Sequence, residues 1–204
     1  VGESVEGVSG LVEQGDHVGV AYRPVHEDEG GLRDGQVQVE AAGALAGAAG
    51  QVQALGAAQG LVLCVERAVQ ATDDEHFGAH FALGIEVSDL DALGFLMMTS
   101  ATVGESMERA VRYLRLWNDG ERYSFSVEGE LARLAFTPHG PDRPAHRQMA
   151  EMAVTDIVVN GRRMAGPGLE VARIRFGYRA LADSRELTRL LGAPIDFDAP
   201  VTEI

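Results

Sequence analysis

TVGESMERAVRYLRLWNDGERYSFSVEGELARLAFT (102–137) holds a helix start, a helix stop and a hairpin in one continuous run. Thr102 and Glu105 have capping-box spacing, so a hydroxyl and a carboxylate can satisfy amides that have no partner in the first turn. Val103, Met107, Ala110, Val111, Leu114 and Trp117 recur at helical spacing and form one apolar stripe. Glu105–Arg109 and Glu108–Arg112 are acid-first pairs four apart, the favourable order on an outer face. Asn118-Asp119-Gly120 stops the helix, because glycine tolerates the left-handed backbone of a helix C-terminus. Beyond it Tyr123, Phe125 and Val127 alternate with polar residues, which predicts a strand over 122–128. A second strand is predicted over 131–137, with Leu134 and Phe136 on one face. Glu128-Gly129-Glu130 makes the hairpin turn.

Upstream, the pattern predicts helices over 61–71 (Leu61, Val65, Ala68 and Val69 on one face), 75–84 (burying Phe77 and Phe81) and 90–98. Downstream, Pro144 fits the first turn of a long helix that reaches about Met164, and Gly166-Pro167-Gly168 ends it. Residues 170–178 alternate as a strand, with Ala172, Ile174, Phe176 and Tyr178 on one side. Asp183 and Glu186 form another capping-type pair before Leu187, Leu190 and Leu191, and Gly192 closes that helix. Ile195 to Phe197 reads as a short final strand. Helices that precede a hairpin, followed by a long helix and further strands, give an α+β expectation: a small, mostly antiparallel sheet packed against helices.

Residues 1–60 stand apart. They contain 13 of the 25 glycines and carry half of the chain's formal charge of −14, with no sustained period. GALAGAAGQVQALGAAQG (43–60) is of low complexity, and each glycine weakens a helix by about 1 kcal/mol relative to alanine. Two readings fit: a mobile extension, or a segment translated in the wrong frame or from a wrong start in a GC-rich gene. The absence of Lys and the leading Val agree with the second. The domain is therefore expected over 61–204.

Charge and composition narrow the function. All 17 basic residues are Arg, and the acidic balance repels phosphate backbones, so direct nucleic-acid binding by this chain is not expected. Cys64, the single cysteine, rules out an internal disulfide. No apolar run is long enough to span a bilayer, and no secretory signal is evident. A cytoplasmic location is the expectation.

Catalytic chemistry finds no support. Ser106 and Ser184 lack a nucleophile-elbow context, and nothing near Cys64 in sequence lowers its pKa. His76 and His80 have the four-residue spacing of a helix-borne metal pair, yet no second ligand cluster accompanies them. A helix-face pair is the favoured reading; no metal, cofactor or catalytic residue is expected. His139 and His146 flank the Pro-rich turn, where a surface position is the default and pocket lining the alternative. A small-molecule site is best assembled from Met97, Met98, Tyr113, Trp117, Tyr123 and Phe125, with Arg122, Arg173 or Arg175 as charge partner. Core packing is the commoner explanation for any one of these side chains.

Four blocks carry a resemblance: ERAVQATDDEHFGAHFALG (66–84), LGFLMMTSATVGESMERAVRYLRLWNDG (93–120), RQMAEMAVTDIV (147–158) and VARIRFGYRALADSRELTRLLGAPIDFDAP (171–200). In order, they resemble the N-terminal effector domain of AraC/XylS-type transcription regulators, in the version labelled the arabinose-binding domain. The resemblance implies a domain that binds a small effector or mediates dimerisation, while a separate unit with two helix-turn-helix motifs reads DNA. Residues 1–60 do not look like the family's N-terminal helices, and no basic recognition helix follows before Ile204. A piece of a longer regulator and a stand-alone sensor are both compatible with that. Homodimerisation is implied, or heterodimerisation with a related regulator; a ligand-free interaction module is the alternative function.

Overall fold

The computed structural model describes residues 57–114, 121–138, 140–182 and 184–204. Trp117, His139 and Asp183, all singled out above, lie outside the described residues. Helix α1 (Ala57–Thr72) starts before the apolar period becomes regular and ends at Asp73, whose φ of 51° breaks the helix. A short α2 (Phe77–Ala82) follows, then a 3-10 turn (Val87–Leu90) and α3 (Asp91–Met98). Helix α4 (Val103–Tyr113) begins at the cap that the spacing predicts: the Glu105 amide donates to Thr102 Oγ1 at 3.1 Å. The returning Glu105 carboxylate takes the Ala101 amide at 2.8 Å, one residue earlier than the standard box.

The hairpin forms as read. Strands β1 (Glu121–Glu128) and β2 (Leu131–Pro138) are antiparallel, with Glu128 opposite Leu131, and Gly129 takes a φ of 64° in the turn. Helix α5 (Pro144–Ala165) has Pro144 in its first turn, where a missing N–H costs nothing. Then come β3 (Ile174–Arg175), α6 (Arg185–Leu191), β4 (Ile195–Asp196) and β5 (Thr202–Glu203). The sheet order is β1-β2-β5-β3-β4; every pairing is antiparallel except β3 with β4. The fold is α+β.

Two expectations are corrected. The strand expected over 170–178 is a ladder only at residues 174–175. Beyond that point its backbone partners are single contacts from a winding return segment, such as Phe176 N–H to Asp196 O and Ala199 N–H to Phe176 O. The strand at 195–197 is also not the last, since β5 inserts between β2 and β3.

Helix α5 is the centre of the molecule. Met149, Ala153, Val154 and Val158 pack with Phe136, Ile174 and Phe176 of the sheet side, Val62 and Val65 of α1, and Leu187 and Leu191 of α6. Full burial of each large side chain in that set contributes about 1.5–3 kcal/mol. Helix α2 crosses α5 so closely that a Cβ built on Gly78 would lie 1.9 Å from the Gln148 carbonyl oxygen. Among the described residues no helix is long and apolar enough to cross a membrane.

Candidate functional site

The N-terminal turn of α5 lies on one wall of a groove of about 1070 Å³. Helix α1 supplies Glu66, Val69 and Gln70 to the lining; the end of β2 supplies Phe136, Thr137 and Pro138; residues 177–179 and 200–202 supply the rest. The volume is that of a pocket for a small metabolite.

Most polar groups around the groove are engaged. Arg143 donates to both carboxylate oxygens of Glu66, at 3.0 and 2.7 Å, and ties α1 to the start of α5. Gln148 is committed at both ends: its Oε1 accepts from the Gly78 amide at 2.7 Å, and its Nε2 donates to Glu75 O at 2.8 Å. Below the groove floor, fully buried Glu151 accepts from Tyr178 OH at 2.8 Å and from Arg147 at 3.0 Å, while His76 Nδ1 lies 3.0 Å from its other oxygen. Burial, followed by the neighbouring Glu151 charge, pushes the Tyr178 hydroxyl far above its ordinary range, which keeps it a neutral donor.

His146 is different. It is the third residue of α5 and only 7 % exposed, against the surface position expected from the Pro-rich turn. Pro144 starts the helix, so residue 146 turns inward. Its Nδ1 accepts from the Arg143 amide at 3.3 Å, and the Asp142 carboxylate lies 3.7 Å from the same nitrogen. A ring that accepts at Nδ1 carries its proton on Nε2. Among the described residues that Nε2 is buried and has no hydrogen-bond partner.

A second, enclosed space of about 40 Å³ lies between the 3-10 turn, α3, α4 and the C-terminal half of α5. Met97, Met107 and Met164 line it together with Ser106 and Asp156, and the buried Ser106 hydroxyl has no partner. Nearby acids are strained by their surroundings. Burial pushes Asp156 up to about 6, opposed by a hydrogen bond from Asn160 and by Arg163. Burial, with the Asp156 charge adding to it, pushes Glu121 up to about 7 against a 3.1 Å hydrogen bond from Tyr123 OH.

The side chains chosen from sequence do not converge. Met97 lines the small space; Met98 and Tyr113 are exposed. Tyr123 packs its ring 5.2 Å from Phe136 and is directed at Glu121. Phe125 is half-buried on β1, and Arg122 is exposed beside it. Arg175 donates to Glu203 at 2.6 Å across the sheet. None of these seven lines the large groove. His76 and His80 are each directed at carboxylates. His80 bridges Asp74 (2.8 Å) and Glu186 (3.3 Å), and its hydrogen bond to Asp74 outweighs burial to raise its pKa. Cys64 is buried, which raises its thiol against the opposing pull of Arg67.

The groove has no sequence motif. Its walls come from residues 66–70, 136–138, 142–150, 177–179 and 200–202, and only the fold joins them. The one local signal was a histidine two residues after a helix-starting proline.

Comparison with known proteins bears on this geometry in two ways. A crystal structure of the transcriptional regulator CdpR from Pseudomonas aeruginosa superposes with a TM-score of 0.52 at 15 % identity. The match covers 62 % of this chain and 41 % of that one, so this chain spans under half of the longer protein, and the likeness is one of fold. No curated protein matches. The family model for the N-terminal arabinose-binding domain of the AraC transcription regulator matches residues 34–204, starting within the segment 1–60. That family consists of regulator domains, not enzymes, and on a match spanning most of its length the chain belongs to the arabinose-binding domains of AraC transcription regulators.

Proposed function

We propose that this chain senses a small effector for an AraC-type regulator and holds it in the groove between α1, the start of α5 and the sheet. The groove carries this reading: it is large enough for a metabolite, and apolar side chains such as Val69, Phe136 and Val201 stand among polar ones along it. Two carboxylates at and near the groove are tied up, Glu66 by Arg143 and Glu151 by three donors, while Asp142 is exposed to solvent. A site arranged in this way binds and releases. DNA contact then belongs to a separate unit, in keeping with the formal charge of −14, and the protein works in the cytoplasm.

Self-association is the second part of the proposal, with a second copy or a related regulator as partner. Among the described residues strand β1 is paired only with β2, and Val127 and Leu131 beside the hairpin turn are about 60 % exposed. An unpaired edge beside exposed apolar side chains favours pairing with another chain.

A thermal-shift screen of metabolites tests sensing. A ligand of the native state raises Tm with concentration, contributing about 2.7 kcal/mol at a hundred times Kd. Gln70→Trp, which fills the groove from an exposed position, should abolish the shift without lowering the unliganded Tm. No shift across a broad panel would remove sensing and leave association alone, which sedimentation velocity measures directly.

A further inference from the structure

We propose that two copies of this chain pair along β1 as antiparallel strands, about a two-fold axis at Phe125, and so join their sheets into one. This rests on the reading of β1 as the edge for self-association, and it fixes the partner as a second copy. The backbone decides which groups the edge offers. Leu134 exchanges both of its backbone hydrogen bonds with Ile204, at 3.0 and 2.9 Å, so Leu134 faces β5. Its neighbours Arg133 and Ala135 therefore face β1, where they stand opposite Ser126 and Ser124. Alternation then turns the amides and carbonyls of Tyr123, Phe125 and Val127 outward. The edge is eight residues long, its ladder with β2 runs without a bulge, and it contains no proline or lysine. Proline, lysine and bulges are three devices that keep a strand edge single.

Side chains choose the register. Outward groups must meet outward groups, so the residues that hydrogen-bond across the edge are Tyr123, Phe125 and Val127 on both copies. The two-fold axis can then sit at Ser124, Phe125 or Ser126, and charge separates these arrangements. Arg122 and Glu128 are exposed near opposite ends of β1, and neither makes an ion pair among the described residues. With the axis at Phe125, Arg122 of each copy stands directly opposite Glu128 of the other. On the same face Ser124 meets Ser126. On the other face Phe125 meets Phe125, and Tyr123 meets Val127, whose 60 % exposure the second copy reduces. Aromatic, aromatic–β-branched and opposite-charge pairs across strands all stabilise a sheet. An axis at Ser124 sets Arg122 opposite Ser126 and Glu121 opposite Val127. An axis at Ser126 sets Glu128 opposite Ser124, and Arg122 opposite Glu130 in the turn, outside the ladder. Only the axis at Phe125 matches charges within the strand, and a two-fold contact of this kind closes on itself as a dimer.

The test uses the full 204-residue chain. Ser124→Cys and Ser126→Cys change exposed positions and should leave Tm unaltered, and the native Cys64 is buried. Residues opposed in a non-hydrogen-bonded pair have Cα atoms about 4.5 Å apart, within disulfide reach. Under mild oxidation an equimolar mixture of the two variants should therefore crosslink as a mixed dimer. Either variant alone should not, because like positions are then offset along the strands beyond that reach. Sedimentation velocity reads the charges. Arg122→Glu and Glu128→Arg, each alone, set like charges opposite one another at both ends of the pair and should weaken self-association about tenfold. Mixing those two chains restores opposite charges at both ends, and association should return to the parent's strength. Crosslinking of Ser124→Cys alone or Ser126→Cys alone moves the axis and overturns the register, while β1 stands as the edge. Charge-reversed chains that stay apart when mixed overturn it as well. A parent dimer that neither crosslinks nor responds to charge reversal places the interface away from β1 and overturns the proposal while self-association stands. A parent chain that sediments as a monomer at its highest soluble concentration overturns both.

Discussion

Glu121 shows how one side chain can set the pH response. It is 7 % exposed at the start of β1, and its pKa is raised from 4.5 to about 7. Between those values the native state holds a proton that the unfolded chain has released. Unfolding therefore releases protons, and stability falls as pH rises through this window. Below it both states are protonated and the penalty is absent; above about 7 both are ionised and the penalty is complete. The shift corresponds to roughly 3 kcal/mol, shared with the coupled Asp156. Glu121→Gln keeps the shape and removes the charge, so it should be neutral at about pH 4 and stabilising by roughly 1–3 kcal/mol at about pH 8. Urea denaturation at both pH values measures this, and an equal effect at the two would show that the carboxylate is ionised throughout. No local pattern announces this residue. It follows a helix-stop signal and opens a strand, and the charge that adds to its shift, Asp156, lies 35 residues away on α5.

At the scale of elements, the crossing of α2 on α5 depends on Gly78. A Cβ there would sit 1.9 Å from the Gln148 carbonyl oxygen, and the same glycine amide donates to the Gln148 side chain. The obstacle is helix backbone, which cannot swing aside as a side chain would. Gly78→Ala should therefore cost about 3 kcal/mol or more, at or above the usual limit for over-packing, although alanine is the better helix former. A chemical melt settles it; a variant as stable as the parent would mean that the helices separate without cost. Elements governed by nearest neighbours were legible in advance: the Thr102 cap, the Gly129 turn, the hairpin of β1 and β2, and Pro144 opening α5. The elements that went astray depend on distant partners. Residues 170–178 alternate well, but a strand extends only as far as its neighbour does, and β4 offers two residues. Strand β5 is defined by its place between β2 and β3, which two residues near the end of the chain cannot signal. The site is of that second kind. The aromatic and methionine side chains near 97–125 read as a pocket because they are apolar and close in sequence, yet they are spread over a helix, a sheet face and the surface.

Across the whole molecule, α5 separates two regions. Its N-terminal half carries the groove and the Glu151 network. Its C-terminal half holds the unit made of the 3-10 turn, α3 and α4, through donors that reach into the 83–85 backbone. Asn160 donates to Ile85 O at 3.0 Å and to Asp156 at 2.6 Å. Arg163 donates to Ile85 O and Leu83 O at 3.0 and 3.1 Å. The small space beneath Met97 lies along this seam, with the unpartnered Ser106 hydroxyl on its wall. Local opening follows the least protected boundary. Asn160→Ala removes the Ile85 contact and takes from Asp156 its hydrogen-bond donor, a loss of about 1–3 kcal/mol at a buried polar site. Hydrogen exchange should then speed up over residues 85–113, while amides of β2 and of the first three turns of α5 keep their protection. Because the groove is at the other end of α5, a ligand that raises the parent's Tm in the metabolite screen should raise that of Asn160→Ala by as much. Exchange that accelerates uniformly would instead make the two regions one cooperative unit. An effector held at the start of α5 would then act on the α3–α4 unit through the helix itself.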